Sequence, residues 1–188
     1  MPPLAEIHPP NRAVPRYRPD QAFPPYRYVP GRFPHPVRDP HGHSYGASAQ
    51  VQGVAEWDPA AWRALPDWLR GVDLFNAFFF WEAHEAWERL WAAKPKDSLP
   101  AVLLQGLIQV AAALLKVHSG SLAAATTLSC AGLEKIDRVA RTAPALLGLN
   151  LTETIANFRS YFRPLSERTL PPLDASVPML LLSSEADA

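Results

Sequence analysis

The stretch Phe75-Asn76-Ala77-Phe78-Phe79-Phe80-Trp81-Glu82-Ala83-His84-Glu85-Ala86-Trp87-Glu88-Arg89-Leu90-Trp91 decides how the chain is read. It gathers three of the six tryptophans and four of the eight phenylalanines, and sets one histidine among three acids. At 3.6 residues per turn, Trp81, His84, Glu88 and Trp91 share one stripe. This places a histidine and a glutamate one turn apart between two indoles, so burial in the core is expected for all four. Glu82, Glu85 and Arg89 form the neighbouring stripe. Glu85 and Arg89 stand at i,i+4 with the acid first, the order that favours a surface ion pair. Asn76 marks the break before this helix, which extends to about Ala93.

Working outward, the pattern stays helical. Asp58 before Pro59 is an N-cap followed by proline at N1, opening a short helix through Trp62. A second helix runs from about Pro66 to Phe75. Leu99 to His118 is apolar on two adjacent stripes and belongs at the centre of the fold; with Pro100, two glutamines and Gly106, it reads as a buried helix and not a membrane span. Ser121 caps a fifth helix whose small residues allow close approach to a neighbour and whose Cys130 is expected to be a buried thiol. A last helix begins near Thr152 and stops at Pro164. No strand-period pattern of useful length occurs. The fold class is therefore all-α, a compact bundle of about five or six helices.

Length and composition set the frame. A chain of 188 residues, 48% apolar, suits one domain with extensions. Residues 1–50 hold twelve of the twenty-one prolines and six arginines against three acids. Proline removes backbone donors and disfavours helix, so this part is not helical. Residues 1–22 read as disordered. Residues 23–57, with Phe23, Tyr26, Tyr28, Phe33 and Tyr45 as anchors and Pro30-Gly31 as a type II turn, read as a stiff arm wrapped on the bundle. Residues 58–165 are the helical domain and 166–188 a tail whose apolar run from Val177 to Leu182 docks. No basic stripe of the kind that binds nucleic acid is visible, nor a signal peptide. A single cysteine fits a reducing, cytoplasmic setting.

Three blocks, Asp73-Leu74-Phe75-Asn76, Glu82 to Trp91, and Gln105-Gly106-Leu107-Ile108-Gln109-Val110-Ala111-Ala112-Ala113, resemble the domain of unknown function 309 family over roughly residues 66–141. The segment from His35 to Tyr45 is similar to an N-terminal extension of some bacterial members. The resemblance implies a small all-α bundle, adds Asp73 and Asn76 to the candidate polar cluster, and implies no activity. Many members carry a glycine shortly after the Asn76 position, where this chain has Ala77-Phe78.

The candidate cluster is thus His84, Glu85, Glu88, Gln105, Gln109, Asp73 and Asn76, and no catalytic residue is assigned. Imidazole and carboxylate at i,i+4 suit a divalent metal ion, the one cofactor the pattern suggests, with His84 and Glu88 joined by His35, His41 and His43 if the arm crosses the bundle. Neither the two-histidine zinc motif nor the di-iron Glu-x-x-His pattern is present. Two readings stand. In one, a metal or small-ligand site lies between the Trp-rich helix, the central helix and the arm, with Glu85 or Glu88 as base and His84 as ligand or acid. In the other, the cluster is structural, with His84 and Glu88 bonded to Gln105 or Gln109, and the domain is a non-catalytic module that binds a protein partner or a second copy of itself.

Overall fold

The computed structural model describes residues 14–46 and 56–183. After a 3₁₀ turn at Pro59–Ala64 come α1 (Pro66–Asn76), α2 (Phe80–Ala92), α3 (Leu99–His118), α4 (Leu122–Ala140), a minimal hairpin of β1 (Ala145–Leu146) and β2 (Leu149–Asn150), and α5 (Leu151–Ser166). The fold is all-α, and each helix packs chiefly on its neighbours in sequence. Asp58 caps the 3₁₀ turn by accepting from the Ala60 N–H at 2.9 Å. α5 runs two residues past the expected stop: Pro164 sits in its last turn, where few intrahelical bonds remain to be lost.

α3 is the central helix, with Leu103, Leu104, Leu107, Val110 and Leu114 fully buried. It is also the one helix among the described residues long and apolar enough to cross a membrane, and most of it is buried inside the fold. It meets α4 at a pair of glycines. A Cβ on Gly106 would lie 2.9 Å from the Gly132 carbonyl, and one on Gly132 would lie 2.8 Å from the Gly106 carbonyl. Cys130, expected inside, is exposed on the opposite side of α4.

The joint between α1 and α2 requires a left-handed residue. Phe79 N–H reaches the Leu74 carbonyl (2.8 Å) and Phe78 N–H the Phe75 carbonyl (2.9 Å), a Schellman ending. The residue between must be left-handed, and Phe78 has φ +66°. Glycine does this without strain; here the ring's near-complete burial and its stack on Phe80 (5.5 Å) hold the turn instead. The chain therefore makes a left-handed turn without glycine and stabilises it by burying the Phe78 ring.

α2 is rotated from the expected orientation. Its buried face is Phe80, Ala83, Ala86, Trp87 and Leu90, whereas Trp81 and Trp91 are only half-buried. Trp87 drops into a slot left by Gly71 of α1, and its ring lies 5.8 Å from those of Trp68 and Phe75. That slot, invisible in the α2 pattern, selects which tryptophan goes inside.

The arm lies along α1 and α2, irregular but anchored. The disorder expected for residues 1–22 does not extend to its described part; residues 1–13 lie outside the described residues, as do 47–55 of the arm and 184–188 of the tail. Asp73, fully buried, accepts from Arg16 Nε (3.0 Å), Tyr17 N–H (2.7 Å) and Arg18 N–H (2.8 Å), so residues 14–22 are fastened by a carboxylate that needs them. Phe23 stacks on Phe79 (5.2 Å), and Arg27 Nε donates to the Ala77 carbonyl. Pro30-Gly31 makes the expected type II turn, with Gly31 at φ +75° and Arg32 N–H on the Val29 carbonyl. The tail docks too. Asn76 exchanges two hydrogen bonds with Leu180, 2.8 and 2.9 Å, and Leu182 N–H donates to Tyr17 Oη at 2.8 Å.

Candidate functional site

The site is built on the side of α2 that the rotation leaves toward solvent. His84 Nδ1 lies 2.6 Å from the Trp81 carbonyl. A carbonyl only accepts, so Nδ1 carries a proton and Nε2 is aimed outward. Nε2 faces Glu85 Oε1 at 3.5 Å and Glu88 Oε1 at 3.8 Å. The three ligand atoms lie within 4.8 Å of one another. Side-chain exposure is 21% for His84, 40% for Glu85 and 48% for Glu88, an open site with one sheltered member.

Glu85 does not make the surface pair expected with Arg89. Arg89 instead forms a fork on Asp67 of α1, 2.7 and 3.2 Å, which leaves Glu85 turned to His84. Partial burial raises the Glu85 pKa above the ordinary carboxyl value, with His84 opposing and Glu88 reinforcing the rise. A lone pair confronting two carboxylates is repulsive unless something positive lies between them. A proton on Nε2 or a metal ion would satisfy the arrangement. Four ligands at about 2.0–2.1 Å around zinc stand roughly 3.3 Å apart, close to the two His–Glu spacings here.

The other candidates are dispersed. His84 and Glu88 are not sealed in the core, and neither central-helix glutamine bonds to them among the described residues. Gln109 accepts from Lys135 Nζ of α4 (3.0 Å), and Gln105, one turn before it on the same face of α3, is half-buried. The structural network expected of this cluster is thus absent among the described residues, because α2 turns Trp87, and not His84, into the core. Asp73 and Asn76 are fasteners for the arm and the tail. Of the arm histidines, His41 is exposed beside Asp39. His35 packs edge-on against Trp81 (5.4 Å), while its Nδ1 is the acceptor toward the Val37 and Arg38 N–H groups at 3.3 and 3.4 Å. His43 pairs with Glu82. None of the three joins the ligand set.

Glu82 is the residue that sequence reasoning missed. It is 6% exposed, and its Oε1 accepts from Tyr28 N–H (2.9 Å) and lies 3.3 Å from His43 Nε2, while Oε2 has no partner. Burial is the main cause that raises its pKa, against the opposing pull of the Tyr28 N–H and His43. The signal was present: Glu82 lies beside Ala83 and Ala86 on the apolar flank of α2, where a carboxylate requires partners from elsewhere in the chain.

No curated protein matches the chain. Residues 68–128, from Trp68 in α1 to Leu128 in α4, match the family model described as Domain of unknown function (DUF309). The match takes in α2 with Glu82, His84, Glu85 and Glu88, and both glutamines of α3, so the likeness to that family lies at the centre of the helical bundle.

Proposed function

We propose that α2 binds a divalent transition-metal ion of the zinc type through His84 Nε2 and the carboxylates of Glu85 and Glu88. The observation that carries this reading is the oriented ring: the Trp81 carbonyl holds the Nδ1 proton and aims Nε2 between two carboxylates. A backbone carbonyl on the second imidazole nitrogen is the usual device for orienting a ligating histidine. Three protein ligands leave a position open on the solvent side, where an ion would lower the pKa of a bound water or polarise an oxygen of a small ligand. A cytoplasmic setting belongs to the same reading and is supported by the lone, exposed thiol of Cys130.

Equilibrium dialysis and calorimetry with Zn²⁺ and Mn²⁺ on protein carrying no affinity tag test it. One ion per chain is expected, with uptake weakened about 100-fold or more by His84→Ala and strongly by Glu88→Gln. At 100 times Kd the ion stabilises the fold by about 2.7 kcal/mol, so the melt shifts upward and chelator reverses the shift. Equal uptake by wild type and His84→Ala, or none by either, removes the metal site and leaves the non-catalytic module.

A further inference from the structure

The turn carrying His43 and Ser44 is a second place where reactive groups meet, and the metal reading makes no use of it. His43 Nε2 lies 3.3 Å from Glu82 Oε1, both side chains being 6% exposed, and His43 Nδ1 lies 2.8 Å from Ser44 Oγ. An ionised carboxylate accepts only, so Nε2 carries the proton and Nδ1 is left to take the Ser44 O–H. Hydroxyl, imidazole and buried carboxylate then stand in the order and polarity of a serine–histidine–acid relay. We propose that Ser44 is a nucleophilic hydroxyl, with His43 as its base and Glu82 as the positioning residue, that accepts acyl groups from activated aryl esters.

A simple clasp for the arm accounts for Tyr28 N–H and His43 Nε2 on Glu82, but not for the hydroxyl on the far side of the ring or for how firmly the turn is set. Every amide from 42 to 45 is bonded: Gly42 to the Asp39 carbonyl, His43 to Tyr26 Oη, Ser44 to the Pro36 carbonyl, Tyr45 to the Gly42 carbonyl. A Cβ on Gly42 would fall 2.7 Å from the Pro36 carbonyl carbon, so only glycine allows this crossing. The Tyr26 ring packs on His43 at 4.7 Å. Base and nucleophile are therefore held in one arrangement before any ligand arrives. The unpartnered Glu82 Oε2 leaves the carboxylate undersatisfied in a dry environment, where an imidazolium forming on His43 offsets its charge best. Substrate class follows from the surroundings. Tyr45 and Phe33 are two of the four exposed large hydrophobics among the described residues, and Phe33 stacks on Tyr26 at 5.3 Å. Through Tyr26, which packs on His43, the Phe33 ring sets a flat aromatic surface next to the turn, suited to an aryl leaving group.

In the step proposed, Ser44 Oγ bonds to the acyl carbon and its proton passes to His43 Nδ1. The bond to the aryl oxygen breaks, and the leaving aryl oxide takes that proton. Water then adds to the acyl carbon, giving its proton to Nδ1; the carboxylic acid departs, and Ser44 recovers its hydrogen.

The test uses the full chain in chelator, so that an ion at His84 contributes nothing. Hydrolysis of p-nitrophenyl acetate above buffer background is expected, falling about 100-fold or to background in Ser44→Ala and in His43→Gln. A fluorophosphonate should add one phosphonyl group, mapped to Ser44 by peptide mass. Glu82→Gln retains an acceptor for Tyr28 N–H, so the arm keeps its resistance to trypsin while kcat falls and KM does not change. Wild-type hydrolysis no faster than Ser44→Ala, or a phosphonyl group on another residue, overturns the proposal. So does a Glu82→Gln variant with undiminished kcat.

Discussion

Replacing Asp73 by Asn should open one end of the arm and little else. The carboxylate serves three donors: Oδ2 takes Arg16 Nε and Arg18 N–H, and Oδ1 takes Tyr17 N–H. An amide offers one acceptor. Its better orientation puts the carbonyl at the two-donor position and sets its NH₂ against the Tyr17 N–H. One buried donor is then stranded, at about 1–3 kcal/mol, and the surviving bonds lose the charge that strengthens them. A total of about 3 kcal/mol would unfold a marginal protein if it acted on the whole chain. It need not, because the Arg16 side chain is already 28% exposed and the segment can peel away from α1. Downstream, Arg27 on the Ala77 carbonyl and Tyr28 on Glu82 keep the rest docked. At 1.4 kcal/mol per tenfold, the open population near Arg16 rises about 100-fold. Limited trypsin digestion followed by mass spectrometry reads this directly. Cleavage after Arg16 should accelerate by about that factor and cleavage after Arg27 by less than about threefold. An unchanged rate at Arg16, or equal acceleration at both sites, would refute the local-fastener argument.

Three further outcomes follow from the packing. His118 is 6% exposed, and burial, helped by Arg27, lowers its pKa from 6.5 to about 4. The unfolded chain therefore takes up a proton that the folded one refuses, so stability is lost as pH falls from about 7 toward 4, by about 2 kcal/mol at pH 5. Urea midpoints for His118→Gln should lack this slope, while Glu82, whose raised pKa acts in the opposite sense, still contributes. Gly71→Ala places a methyl 2.6 Å from Trp87 Cδ1; the gain in helix propensity of about 1 kcal/mol is outweighed by overpacking of about 1–3 kcal/mol around a ring that cannot move, and the melting temperature should fall. Asn76→Ala removes both bonds to Leu180 at a cost of about 2 kcal/mol, and hydrogen exchange at the Leu180 amide should accelerate while that of α3 does not.

The helices were legible because their signals are local. α3 carries its boundaries in Ser98-Leu99-Pro100 and Ser119-Gly120, and its two apolar stripes leave no other place for it than the centre. The break at Asn76 was legible, but the left-handed turn after it was not, because Phe78 stands where a glycine would have announced it. The site was harder to read, since a helical wheel yields stripes without saying which stripe faces in. Trp81 and Trp91 carry the same sequence signature as Trp87; the choice among them was made by Gly71, on a different helix. His84 and Glu88 consequently moved from the core to the surface, and Gln105 and Gln109 lost their role. Asp73, Asn76 and Glu82 have partners 39 to 104 residues away, and no local pattern announces such pairings.

The contact between Tyr17 and Leu182 spans 165 residues, and this separation sets an order of assembly. During synthesis α1 to α4 can pair as successive hairpins, each as soon as its second helix emerges. Asn76 must wait, because both of its hydrogen bonds go to Leu180. Until that residue is made, a buried amide lacks partners and the places taken by Val177 and Leu180 stay open to water. A chain broken off before the tail would display this unfinished surface on an otherwise assembled bundle. The segment from Val177 to Leu182 thus makes a chain that has reached it physically distinguishable from one that has not, at a point when nearly all of the described core is already formed.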